Sequence, residues 1–259
     1  MGDILVKVTG VTKRFGGFAA VNKVSLALRR REVVGLIGPN GSGKTTLVNL
    51  IAGTLAPDEG EVLLGGHIAT TWSTQRRCHW GLTRTRQVAR PLSQMTVFEN
   101  VVVGAMFGAT KFTTYREAER IAARTLDELD MSALARALPT ELPIQKLKIL
   151  EIARALATQP HALLLDESMA GLGSGESHAI LELIKEKRRV GLGIIVIEHR
   201  LPELMSISDR MIVLHAGSSI AEGAPDEVVR DPEVIRVYLG IGAAAAPGAP
   251  SSHAASCVA

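Results

Sequence analysis

Short apolar runs alternate along the chain with stretches in which apolar residues recur every three or four positions. Four of these runs have the length of buried strands: Val33 to Ile37, Ala162 to Leu165, Ile194 to Ile197 and Met211 to Leu214. The stretches between them have helical period, and this alternation is typical of a parallel sheet covered by helices. The pattern therefore predicts an α/β protein.

The residue composition changes in two later parts of the chain. From about Val88 to Thr158 helix formers dominate, and Tyr115 to Met131 alternates charged and apolar residues at helical period. We therefore predict a domain of residues 1–240 that carries an inserted helical subdomain at 88–158. Residues 241–259 are mostly Ala, Gly, Pro and Ser, a composition too poor in large apolar groups to offset the entropy of ordering, and they predict a disordered tail.

Composition narrows the choice of partners. The 259 residues carry 29 Lys plus Arg against 26 Asp plus Glu, and this net charge of +3 gives no footprint for nucleic acid. Cys78 and Cys257 are far apart and lack metal-ligand spacing, which indicates a reducing, cytosolic compartment. Because no run reaches the roughly 18 to 20 apolar residues of a membrane helix, we expect any membrane association to come through a partner.

A glycine-rich loop follows the first strand. Residues 38–46 read GPNGSGKTT, and Leu47, Leu50 and Ile51 then recur at helical spacing up to Gly53. A strand, a loop of this pattern and a helix form a P-loop, in which backbone N–H groups and a helix N-terminus bind phosphate. A chance glycine turn is the alternative, which the flanking strand and helix disfavour. The predicted ATP-binding residues are Gly38, Pro39, Asn40, Gly41, Ser42, Gly43, Lys44, Thr45 and Thr46.

Two further strand ends carry groups suited to the same chemistry. Lys44 would reach the β- and γ-phosphates, and Thr45 would supply a hydroxyl to Mg²⁺. Asp166, at the end of an apolar run, would hold Mg²⁺, and Glu167 would polarise the attacking water. Alone, such a run before Asp-Glu is a common strand end. His199 ends another strand and would donate to the γ-phosphate, although a lone histidine there is more often a surface or packed residue.

The order of these motifs resembles that of the ATPase subunits of ABC transporters. The segments are GPNGSGKTT, TRTRQ ending at Gln87, LEIARALATQP, LLLDE and VIEHR, and the resemblance covers Val6 to Gly240. Within that superfamily, LSQMTVFENVVVGA and the closing IAEGAPDEVVRDPEVIRVYLG are most similar to the ATPases of branched-chain amino-acid importers.

The resemblance implies a fold and a set of roles. The fold would be a P-loop NTPase (RecA-like) core with an N-terminal antiparallel β portion and the helical subdomain. Phe15 would stack on adenine, although ordinary core packing is the alternative. Gln87 would contact Mg²⁺ and the attacking water and link them to a transmembrane subunit. Arg84, Arg86 and Arg90 would also dock on that subunit, unless they form a solvated face.

The implied function is an ATP-hydrolysing subunit that powers import of branched-chain amino acids or related small solutes. It would act through two separate transmembrane permease subunits, lie on the cytoplasmic face of the inner membrane, and depend indirectly on an exported solute-binding protein. A soluble nucleotide switch, a different solute, or export remain alternatives. A switch of this kind often carries two fused ATPase halves, whereas this chain has one P-loop.

The chain departs from the family where it would face a second ATPase subunit. The signature, usually Leu-Ser-Gly-Gly-Gln, here reads Leu142, Pro143, Ile144, Gln145 and Lys146. Ser168 replaces a usual proline, and Gly173 replaces the usual Asp or Asn of the subunit-crossing loop. We therefore expect an asymmetric pair, favouring a different partner subunit over self-pairing, in which only this chain's P-loop site is fully equipped. The alternative is that the variant signature still works, with Lys146 or backbone N–H groups meeting the phosphate.

Overall fold

The chain forms two sheets, and the computed structural model describes residues 3–85, 90–109, 113–198 and 200–239. The first sheet is antiparallel, with the strand order β2-β1-β4-β5. Gly16, with φ 58°, and Gly17 make the two-residue turn that joins β1 to β2 and sets Phe15 opposite Phe18. The strands are β1 Ile4–Phe15, β2 Phe18–Arg29, β4 Glu59–Leu64 and β5 His67–Ile68.

The second sheet is parallel except for one edge strand, and its order is β10-β9-β3-β8-β7-β6. All residues of β3, β7 and β8 are buried, as expected for strands covered on both faces. The four strands predicted from apolar runs all lie here, and the α/β class is confirmed. The strands are β3 Val33–Ile37, β6 Leu82–Arg84, β7 Ala162–Asp166, β8 Gly193–Ile197, β9 Arg210–His215 and β10 Ser218–Gly223.

Helices cover the parallel sheet and account for about half of the interval between β6 and β7. The predicted helix after the glycine loop is present, and it ends at Gly53 in the left-handed region with φ 76°. The helix predicted over Tyr115 to Met131 ends earlier, because Asp130 adopts φ 52°. The helices are α1 Lys44–Ala52, α2 Thr74–Trp80, α3 Val97–Met106, α4 Tyr115–Glu128, α5 Ile144–Ala157, α6 Ser174–Arg189, α7 Leu201–Ile207, α8 Pro225–Val228 and α9 Pro232–Leu239.

The parallel sheet separates two hydrophobic clusters. Val33 and Ile37 of β3 face a cluster shared with helices α3 to α6, whereas Val34 and Leu36 face one shared with α1 and the antiparallel sheet. This alternation follows from the two-residue period of a strand. The domain limits 1–240 and 88–158 stay predictions, and the predicted tail lies outside the described residues. Within the described ranges, no helix has the length and apolar character needed to cross a membrane.

Arg77 is a buried cation that ties α2 to the end of α1. Its side chain is 1% exposed, and its guanidinium donates five hydrogen bonds to backbone carbonyl oxygens. These acceptors are the carbonyls of Leu50 (2.8 Å), Ile51 (2.5 Å), Ala69 (2.8 Å), Thr70 (3.0 Å) and Trp72 (3.2 Å). Burial lowers the pKa of Arg77 to about 10, so the group stays charged at neutral pH. Its charge lies at the negative end of the α1 dipole.

Candidate nucleotide site

The site lies at the carboxyl edge of the parallel sheet. β3 runs into the glycine loop at residues 38–43, β7 ends at Asp166, and β6, which pairs with β7, ends at Arg84. β8 lies between β3 and β7, so the strand that leads to His199 ends between the other two. Open α/β sheets bind their ligands at this edge. His199 and Gln87 themselves lie outside the described residues.

The glycine loop adopts a backbone conformation that residues with a Cβ atom could not adopt at two positions. Gly38 and Gly43 adopt φ 149° and 103°. A Cβ on Gly38 would come within 2.1 Å of the Leu214 carbonyl oxygen, and one on Gly43 within 2.3 Å of the Ala20 carbonyl oxygen. The loop is therefore clamped between β9 and β2, and only glycine fits at these two positions.

Lys44 begins α1 and turns its ammonium back into the loop. The Nζ atom donates to the Gly38 carbonyl at 2.7 Å and to the Pro39 carbonyl at 2.9 Å. Burial lowers the pKa of Lys44, and the charges of Glu167 and Asp166 oppose that shift. The lysine is thus held where anionic oxygens in the loop would meet it.

Two buried oxygen atoms of the site have no hydrogen-bond partner among the described residues. They are Ser42 Oγ, in the loop, and Asp166 Oδ1, at the end of β7. Asp166 and Thr45 line one cavity of about 540 Å³, and the Asp166 side chain is 1% exposed. Burial raises the pKa of Asp166, Arg84 and Lys44 oppose the rise, and Glu167 adds to it. Polar atoms left unpaired in this way indicate a place for a ligand or ion.

Arg84 faces Asp166, and its docking on another subunit stays a prediction. Its Nη2 atom lies 3.5 Å from Asp166 Oδ2, and its Nη1 donates to Asn49 Oδ1 of α1. The side chain is 18% exposed, because β6 pairs with β7 and turns it toward α1. Arg86 lies outside the described residues. Arg90 does line the same cavity, and its backbone contacts Glu151 and Arg154 of α5.

The segment after Asp166 is held by groups from two neighbouring strands. Glu167 adopts φ 49°, and its N–H donates to the Ile197 carbonyl of β8 at 3.0 Å. The Ser168 hydroxyl, in the position where proline is usual, bonds the Thr85 hydroxyl at 2.5 Å. Glu198 is buried and accepts from the Met169 N–H at 2.8 Å. These contacts keep the Glu167 carboxylate close to the ends of both strands.

Phe15 lies at the tip of the β1–β2 hairpin and is 50% exposed. Exposure on this scale excludes the alternative that Phe15 is an ordinary core residue. The same hairpin reaches the glycine loop through Ala20, whose carbonyl oxygen closes the space beside Gly43. Phe15 is therefore available for stacking, and its contact with adenine stays a prediction.

The variant signature begins α5 without a side-chain cap. Pro143 is the N-cap residue, and Ile144 is 59% exposed at the first position of the helix. The Lys146 ammonium lies 3.6 Å from Glu176 of α6 in the same chain. The subunit-crossing loop is also held by hydrogen bonds from the same chain. Lys148 donates to the Ala170 carbonyl, and Arg200 donates to the Leu172 carbonyl at 3.0 Å.

Helix α9 also meets the glycine loop, through Tyr238. Burial raises the pKa of Tyr238, and a hydrogen bond with the backbone of Gly38 opposes that rise. Sequence reasoning missed this residue, as it missed the structural roles of Asn49, Thr85 and Glu198. Thr85 and Glu198 are adjacent to motif residues, whereas nothing in the local pattern distinguishes Tyr238 or Asn49.

Comparisons with known proteins agree with this geometry. The family described as "ABC transporter" matches residues 21–170, and the family described as "Branched-chain amino acid ATP-binding cassette transporter" matches residues 219–244. The chain therefore belongs to the ATP-binding cassette family of ABC transporters, whose members are ATPases. Within it, the second match and the relatives described next assign the chain to the branched-chain amino acid group.

Similar proteins match over nearly their whole length. The high-affinity branched-chain amino acid transport ATP-binding protein LivG of Salmonella typhimurium is 39% identical over 93% of this chain and 99% of its own length. A probable LivG of Methanocaldococcus jannaschii is 34% identical, over 91% and 97%. The ADP conformation of an ATP-binding cassette of an ABC transporter superposes with a TM-score of 0.82 and 33% identity, covering 92% of this chain and 99% of that one.

Proposed function

We propose that this chain binds Mg²⁺ and ATP and hydrolyses ATP to drive import of branched-chain amino acids or related small solutes. The observation that carries the proposal is a pair of buried oxygens, Ser42 Oγ and Asp166 Oδ1, that have no hydrogen-bond partner among the described residues and lie beside a lysine held in a phosphate-binding loop. The relatives described as branched-chain amino acid transport proteins support the choice of solute.

The residues present fit a magnesium ion. Thr45 offers a hydroxyl and Asp166 a carboxylate oxygen to the same cavity, and hard oxygen donors are the ligands that Mg²⁺ takes. Gln87 would complete the set. When bound, the ion would neutralise charge on the phosphate oxygens. The chain's own groups would do the rest: Lys44 and loop N–H groups bind phosphate, Glu167 accepts a proton from the attacking water, and His199 donates to the γ-phosphate.

The partners follow from the same proposal. With no membrane-crossing helix in the described ranges, the chain would act through two permease subunits on the cytoplasmic face of the membrane, with an exported binding protein delivering solute. The test is uptake of labelled leucine, isoleucine and valine by the transporter reconstituted in proteoliposomes with ATP inside. We expect saturable, ATP-dependent uptake of at least one of them. Failure of any permease to co-purify would instead favour a soluble switch.

We also propose that this chain pairs with a different ATPase subunit and that the two sites are unequal. Pro143 and Ile144 stand where a serine hydroxyl and a glycine would meet the partner's nucleotide, and the exposed Ile144 side chain projects from the start of α5. The Lys146 ammonium forms an ion pair with Glu176. This pairing counts against the alternative that the Lys146 ammonium reaches the partner's phosphate. The chain therefore contributes little to the opposite site, while its own Lys44, Asp166 and Glu167 are in place.

Unequal sites predict unequal effects of matched substitutions. In the reconstituted transporter, Glu167→Gln should remove nearly all ATP turnover, whereas the equivalent change in the partner should leave at least about half of it, because only the first site contributes much. Replacing Pro143, Ile144 and Gln145 with Ser, Gly and Gly should raise turnover and make it sensitive to the partner's substitution. Phosphate release measures both. Equal losses from the two single changes would contradict the asymmetric pair.

A further inference from the structure

We propose that Arg84 is a positioning residue for the metal site, holding one oxygen of Asp166 so that the other stays turned toward the cavity. This inference rests on the proposed function, because it assumes that Asp166 serves Mg²⁺. The geometry points to it directly: Arg84 Nη2 faces Asp166 Oδ2, whereas Oδ1 is buried with no hydrogen-bond partner in the described part of the chain.

Arg84 is itself anchored from the opposite side. Its Nη1 donates to Asn49 Oδ1, and the Thr54 hydroxyl donates to the same oxygen at 2.9 Å. Asn49 lies on α1, the helix that begins at Lys44, and Asp166 ends β7. Asn49, Arg84 and Asp166 therefore form a chain of side chains that joins the phosphate-binding helix to the metal-binding strand through β6.

The planar guanidinium is suited to this task in a way that an ammonium is not. Its Nη1 and Nη2 atoms point along fixed directions, so one can meet Asn49 while the other meets Asp166. Groups that orient a metal ligand commonly change metal affinity by 10- to 100-fold when removed. In the sequence, Arg84 also stands three residues before Gln87, the residue predicted to link the site to a transmembrane subunit.

Positioning and simple charge predict opposite results for Mg²⁺. If Arg84 merely placed a positive charge near the ion, its removal would strengthen Mg²⁺ binding. If it orients Asp166, its removal weakens Mg²⁺ binding, and lysine does not restore it. The measured quantity is the ratio of ADP dissociation constants without and with Mg²⁺, obtained by calorimetry on the full-length chain. ADP avoids turnover, and thermal melting confirms that each variant is folded.

We expect Arg84→Met and Arg84→Lys each to reduce that ratio about tenfold or more while leaving Mg²⁺-free ADP binding within about twofold. Asn49→Ala should give part of the loss, and Arg84→Met with Asn49→Ala no more than Arg84→Met alone. Arg76→Met is the matched control, because Arg76 is an exposed arginine of α2 that contacts Trp72 and is not among the residues that line the cavity; it should leave the ratio unchanged.

Asp166→Asn separates this inference from the proposed function. It should abolish the effect of Mg²⁺ on ADP binding, and Arg84→Met added to it should change nothing further. An unchanged ratio in Asp166→Asn would overturn the assignment of the metal site itself. If Asp166→Asn abolishes the effect of Mg²⁺ on ADP binding but Arg84→Met leaves the ratio unchanged or larger, only the positioning role of Arg84 would be overturned.

Discussion

Glu167→Gln should lower ATP turnover of the reconstituted transporter by about 10²- to 10⁴-fold, the usual contribution of a positioned general base. The glutamine amide would keep the shape of the side chain but could not accept a proton from water. The N–H of residue 167 would still donate to the Ile197 carbonyl, so the loop should keep its conformation. Steady-state phosphate release measures the loss.

Binding should survive this substitution. Lys44 and the glycine loop are separate from the Glu167 carboxylate, so the ATP dissociation constant should stay within a few-fold of the original, as calorimetry can show. Glu186→Gln, an exposed change on α6, is the control and should leave turnover unaltered. If Glu167→Gln retained more than about a tenth of the turnover, either another group would act as the base or the partner's site would hydrolyse ATP as well.

Arg77→Met should destabilise the fold by about 3 to 5 kcal/mol, because several buried carbonyl oxygens would lose their donor at once. Two of these carbonyls, of Leu50 and Ile51, lie in the last turn of α1, which then loses its cationic cap. A destabilisation of this size corresponds to a fall in melting temperature of roughly 6 to 20 °C for a chain of this length. Chemical denaturation gives the free energy of unfolding directly.

The neighbouring arginine supplies a matched control. The Arg76 guanidinium lies 4.2 Å from the ring centroid of Trp72 on the exposed side of α2. Arg76→Met should cost no more than about 1 kcal/mol, the value of an exposed cation–π contact. Arg77→Lys should remain strongly destabilising, since a single ammonium cannot reach carbonyls in five directions. Equal effects at positions 76 and 77 would contradict the proposed role of the buried cation.

The central strands and the glycine loop could be predicted from the sequence because their signals are local. Five consecutive buried residues in β3 and the φ values of Gly38 and Gly43 follow from short segments of chain. The hydrogen-bond partners of a buried arginine, by contrast, do not follow from the residues next to it in the sequence. Arg77 and Arg84 differ only in what the fold brings to them: five carbonyls in one case, and Asn49 and Asp166 in the other.

The short strands and the helix ends also could not be predicted from the local sequence pattern. β6 has three residues, too few for a periodic signal, yet it places Arg84 beside Asp166. The positive φ of Glu167 depends on a tertiary contact, the hydrogen bond of its N–H to the Ile197 carbonyl, because non-glycine residues rarely adopt positive φ. The roles of Gln87 and His199 stay predictions, as does the contact of Phe15 with adenine.

The contact between Tyr238 and Gly38 alters what counts as the minimal nucleotide-binding unit. A chain cut after Gly223 would retain both sheets, the glycine loop and every predicted site residue, but it would lose α9 and with it the contact of Tyr238 with the first glycine. The segment 219–244, which matches a family of its own, contains Tyr238. The segment that matches the branched-chain family therefore carries a tyrosine that meets the phosphate loop, and a truncated ATPase would lack that contact.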